Sequence, residues 1–184
     1  MTRVRFHTAN ALFETFPELS KKISTLPSDQ FPIDYLRGLV SKANSRDALT
    51  FCAYLLPRRE AVWWACGCAR DLHGEIPPSR SAGLLAAEAW VSQPDNDHRQ
   101  AALDIGTQCD DNDPITWLAR GAGWSGGLLV SHPQMQVPIP PYMTARAIRV
   151  ALLLAFSKLK PDEQPTRVKF WIEEGIKLAE NGLS

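Results

Sequence analysis

The sequence has no excess of charge of either sign: 20 lysines and arginines balance 20 aspartates and glutamates. A nucleic-acid backbone or an anionic membrane is met by a basic excess, so the composition favours neither, and a protein partner recognised by shape and local polarity is expected. Long apolar runs are missing as well. The longest, Val150 to Phe156, is flanked by Arg149 and Lys158 and falls far short of the roughly 20 residues a membrane-crossing helix needs. The opening residues carry His7, Asn10 and Glu14 where a signal peptide has a continuous apolar core, so a cytoplasmic protein is predicted. Histidines and cysteines number only four each, and none shows the paired spacing of a structural zinc site. Cys66 and Cys68, two apart on a helix, diverge by about 200°. Cys52, Cys66, Cys68 and Cys109 therefore read as reduced thiols, the helical ones as small core residues. Asp110, Asp111 and Asp113 lack the glycine and the closing glutamate of a calcium loop. Neither metal nor cofactor is predicted.

Sustained apolar–polar alternation, the mark of strands, is almost absent, whereas apolar spacings of three and four recur throughout. That pattern predicts an all-α fold, a compact array of short helices in one domain over residues 1–184, of which residues 1–8 form a flexible arm. Helical pieces are predicted at Ala9 to Phe16, Pro17 to Ile23 and Ile33 to Ala43. Ser45 is expected to cap a helix to Leu56, and Pro57 to open another reaching Leu72 before His73-Gly74 ends it. Ala61, Trp64, Ala65, Cys68 and Leu72 form a stripe on that helix, widened by Val62 and Ala69, which makes it a central element. Ala82 to Val91 follows. Asp95 to Asp97 start a helix to Thr107 with His98, Ala101, Ala102, Ile105 and Cys109 inward, and Asp113-Pro114 starts Ile115 to Ala122. Thr144 to Leu159, apolar around much of its circumference and so expected at the centre with Leu153 buried, and Pro165 to Glu180 complete the array. Trp63, Trp90 and Trp117 are 27 residues apart, but their surroundings do not match, so no repeat is inferred.

Within this helical pattern Gly123 to Met143, "GWSGGLLVSHPQMQVPIPPYM", stands out: apart from His132 it carries no charge-bearing side chain, and it holds four prolines. Gly123-Trp124-Ser125-Gly126-Gly127 matches the Gly-x-Ser-x-Gly expression of esterases, which requires a strand before the serine and a later acid and histidine. A helix precedes it instead, and His132 is the last histidine of the chain. The glycines are better read as a helix terminator and exit turn, and no catalytic residue is predicted. Val130 to Tyr142 is predicted to lie as an extended, proline-rich strap across the helices, with Met135, Val137 and Ile139 alternating so that one edge packs inward. Its outward side, with Trp124, Ser125, Gln134, Gln136 and Tyr142, is expected to border a partner surface. A second candidate is the helical face with Arg59, Trp63 and Arg70, since Trp and Arg are enriched at binding hot spots; Arg59 is expected to stack on Trp63 at four residues' distance.

Four blocks, "LLPRREAVWWACGCAR", "AAEAWVSQPDNDHRQAA", "DPITWLARGAGWSGG" and "VPIPPYMTARAIRVALLLA", spanning Leu55 to Ala155, together resemble an uncharacterised bacterial family of small helical proteins. Members are encoded near type VI secretion components, alongside adaptor-like and PAAR-type proteins. The resemblance implies a non-enzymatic accessory, adaptor or chaperone of that contractile apparatus, its partner a secretion component or effector. Two alternatives stand beside it: an immunity protein that binds a toxin, and a small enzyme or ligand-binding domain using a groove near Ser125 and His132.

Overall fold

The structure, a computed structural model, describes residues 3–132 and 135–183, without the side chains of 79, 80 and 130–132. About 68% of it is helical, so the fold is all-α. The helices are α1 (Ala9–Thr15), α2 (Pro32–Ser41), α3 (Ser45–Leu55), α4 (Arg58–His73), α5 (Pro78–Ser92), α6 (Asn96–Gln108), α7 (Pro114–Gly123), α8 (Met143–Ser157) and α9 (Gln164–Asn181). A 3-10 turn spans Pro17–Lys21, and two strands, β1 (Leu128–His132) and β2 (Met135–Pro138), separate α7 from α8.

Most boundaries follow from local chemistry. Asp95 accepts from the His98 backbone N–H and Asp113 from that of Ile115, each satisfying a donor that the first turn leaves unpaired. Gly74 and Gly182 end α4 and α9 with φ of 59° and 74°, a conformation a Cβ disfavours. Ser45 is not a cap: it is the first residue of α3, after Asn44.

One continuous core joins the helices. α4 packs against α5, α7, α8 and α9, and α8 against α3, α4 and α7, so these two elements sit between an α5–α6–α7 group and an α2–α3–α9 group. Ala61, Val62, Trp64, Ala65, Cys66, Cys68 and Ala69 of α4 are all buried, as the breadth of its apolar stripe requires. The Trp64 indole donates to the Trp171 carbonyl at 2.6 Å, while Trp171 and Arg167 both donate to the Asp71 carboxylate. These bonds fasten α9 to α4. Among the described residues the four buried polar ones, Asp47, Thr50, Thr116 and Thr144, all have partners; Thr144, for example, donates to the Gly121 carbonyl at 3.0 Å.

Two sequence expectations change phase. On α6 the side chain of Ala101 is exposed, as is that of Cys109 just past its end, and Ala102 and Gly106 are the buried positions. The reason is α7: a Cβ on Gly106 would meet Arg120 at 2.9 Å, and one on Gly123 would meet Leu103 at 2.6 Å, so the glycines set the closest line of approach. In α8 it is Leu152 that is buried and Leu153 that is only half-buried.

The segment before α1 is tied down by Arg3, which donates to the Asn181 carbonyl, by Arg5, which donates to that of Leu56, and by the edge-on contact of Phe6 with Phe16.

Candidate functional site

The extended segment after α7 is a β-hairpin that pairs with itself rather than a strap lying across the helices. Val130 faces Val137, Ser131 faces Gln136 and His132 faces Met135, with an irregularity between Leu128 and Val130. The physical reason lies in the backbone. A lone extended strap leaves its N–H and C=O groups unpaired against an apolar helix surface, whereas two short runs can satisfy each other. The expected inward edge holds only at its foot: Ile139 is buried, Val137 half-buried and Met135 57% exposed. Leu128 and Leu129, at 41% and 55%, are exposed as well.

Its root is held from two sides. Arg58 at the start of α4 donates to the Ser125 carbonyl at 2.7 Å, and Arg99 of α6 donates to that of Gly123 at 3.0 Å. The Arg99 guanidinium also lies within 2.9 Å of where a Cβ on Gly127 would sit, and Gly127 has φ of 86°, a left-handed conformation that favours glycine there. The Ile139 N–H donates to the Gly127 carbonyl and closes the hairpin. Trp124 packs edge-on against Trp117 with ring centres 6.2 Å apart, and Arg120 covers the Trp117 ring at 4.6 Å. The result is a firm aromatic and cationic base carrying an apolar finger.

The predicted surface residues fall into two groups. Trp124 and Ser125 are half-buried in the turn after α7, Gln136 is exposed on β2, and Tyr142 is half-buried under Arg146. Gln134 lies outside the described residues, as does the side chain of His132. The other group follows the outer line of α4. Arg59 does not stack on Trp63; it turns to the Val91 carbonyl at 2.6 Å, where the end of α5 supplies an unpaired acceptor. Arg70 pairs with Glu88 through two 2.6 Å bonds. Trp63 is 42% exposed and, across a groove of about 390 Å³, faces α9 where Phe170 is also exposed. Ser125 follows a helix and precedes a strand, the reverse of a nucleophile elbow.

Cys52, Cys66 and Cys68 are buried, and burial pushes all three thiols well up, which keeps them neutral and apolar at ordinary pH. Cys109 is exposed. Among the described residues no cluster of three or more histidine, cysteine or carboxylate side chains has metal-binding geometry, and no helix is long and apolar enough to cross a membrane.

The place of Arg58 and Arg99 at the hairpin root, and the exposed leucines of β1, are the parts of the site that sequence reasoning missed. Arg58 carried one signal, a cation set against the positive end of a helix, which demands compensation from elsewhere. Nothing in the local sequence of Arg99 points to a turn 24 residues away.

These features define a class: an all-α array presenting a short, apolar, firmly rooted β-hairpin. The chain belongs to DUF6931, a family of unknown function, whose family model matches residues 35–179 and so includes the hairpin and both arginines at its root. No curated protein and no solved structure matches the chain.

Proposed function

We propose that this protein is a non-enzymatic interaction module whose partner docks on the β1–β2 hairpin. The observation that carries the reading is the exposure of Leu128, Leu129 and Met135 on an element whose root is fixed by Arg58 and Arg99. Apolar side chains held in water by a preformed scaffold favour association, because covering them releases water while little backbone entropy remains to be lost. A hairpin also offers free strand edges to an incoming extended segment. The groove between Trp63 and Phe170 gives the α4 face a subsidiary place as a contact region.

The narrower reading, an accessory, adaptor or chaperone of a type VI secretion apparatus, is supported by the resemblance of the four sequence blocks, and an immunity protein would use the same surface against a toxin. Partner identity separates them: a structural or effector component of the apparatus for the first, a toxin neutralised in trans for the second. The test is copurification from the native cell of the parent and of a Leu128→Ser, Leu129→Ser, Met135→Ser variant that melts like the parent. A partner held by the parent and lost from the variant is the expected result; equal recovery from both would overturn the reading.

A further inference from the structure

Beyond the hairpin, a small cavity of about 260 Å³ opens where the end of α3, the start of α4 and the start of α8 meet. Phe16, Leu56, Pro141 and Ala145 contribute apolar walls, and Arg5 and Arg58 line the same space. Each arginine donates one N–H to a backbone carbonyl, Arg5 to Leu56 and Arg58 to Ser125. Among the described residues neither forms an ion pair with a carboxylate. A guanidinium has five donors, so both retain most of their hydrogen-bonding capacity.

The surroundings add to the positive potential. Tyr54, which lines the cavity, feels the charge of Arg146, and Arg146 and Arg149 both act on Lys22. Two carboxylates oppose them: Glu18, which accepts from the Tyr54 hydroxyl at 3.2 Å, and Glu60, which acts on Arg5. Burial first, and Arg58 next, hold the Arg5 guanidinium below its usual range despite Glu60. Two arginines without an ion-pair partner among the described residues thus line one apolar-walled cavity.

We propose that this cavity receives an organic oxyanion, a carboxylate or phosphate on a short apolar group, gripped by Arg5 and Arg58. The guanidinium fork matches either oxyanion in two-point geometry, and the volume suits one functional group with a few carbons. A free small acid and an acidic side chain of a protein partner present the same chemistry. The proposal does not require the hairpin to be an interface.

Titration of the parent protein, followed by amide and arginine Nε–Hε correlation spectra, tests it with hexanoate, phenyl phosphate, the neutral control hexanamide, and the acetylated, amidated tripeptide Leu-Asp-Leu. Saturable shifts at Arg5, Arg58 and residues 56–61 with the anions, weakened by salt and absent with hexanamide, are expected. Response to the small acids alone assigns the site to a free ligand, and response to the peptide alone to a protein partner. Arg58→Gln should weaken binding about tenfold or more, the loss expected for one charge-assisted grip, while Lys169→Gln leaves it unchanged. Because Arg5 also holds the Leu56 carbonyl, the salt dependence of the parent is the check that needs no variant. No saturation by any anion, binding of hexanamide as tight as hexanoate, or shifts confined to other regions would overturn the proposal.

Discussion

At the scale of single residues, steric room and burial decide more than residue type. Gly123 and Gly126 lie in one short motif, yet a Cβ on Gly123 would meet Leu103 at 2.6 Å while one on Gly126 meets nothing nearer than Arg99 at 4.0 Å. Gly123→Ala should therefore cost about 1–3 kcal/mol through overpacking, and Gly126→Ala should stay within about 0.5 kcal/mol of the parent; urea unfolding measures both. Leu152→Asp should cost more than about 3 kcal/mol by burying an unpaired charge, well above the cost of the same change at half-buried Leu153. The sequence placed α8 among the central helices but not its inward line to the residue, because three consecutive leucines satisfy any phase. Alkali offers a further check. The three buried thiols, together with Tyr35 and Tyr54 pushed up to about 12, all ionise more readily unfolded than folded. Their contribution is whole below the ordinary thiol range near 8.5 and falls as pH rises through the folded values. The urea midpoint should accordingly drop between pH 8 and pH 10.

At the scale of elements, a recurrent device joins the helices: an arginine from one place donates to a last-turn or capping carbonyl of another helix. Arg5 reaches Leu56 at the end of α3, Arg59 reaches Val91 in α5 and Arg120 reaches Gly106 in α6. Arg99 reaches Gly123 in α7, Arg167 reaches Asp71 in α4 and Arg3 reaches Asn181 in α9. Carbonyls at these ends lack helical partners and carry the negative pole of the helix dipole, so a guanidinium satisfies both needs. Arg59→Met, which keeps the stem and removes the donors, should cost about 1 kcal/mol, read by thermal melting. The helix order was legible because apolar periodicity, Asp95, Asp113 and the closing glycines act locally. The arginine bonds and the hairpin were not. The arginine bonds depend on partners far apart in sequence, while the hairpin is local but masked, because four prolines in Gly123 to Met143 hide a strand signal only a few residues long.

For the whole molecule, the hairpin is an apolar feature that the fold fixes in place without covering, with Leu128, Leu129 and Met135 exposed together on one element. Family membership over residues 35–179 includes this feature, while Arg5, which grips the small cavity from outside that span, belongs to a separate reading. Site-specific photo-crosslinking in the native cell tests the central claim most directly, with a crosslinking side chain placed in turn at Leu129, at Met135 and at exposed Lys169 on α9. The expected result is one protein species joined at both hairpin positions and absent at Lys169; identical adducts at all three positions, or none at the hairpin, would contradict the assignment of this element as the partner surface.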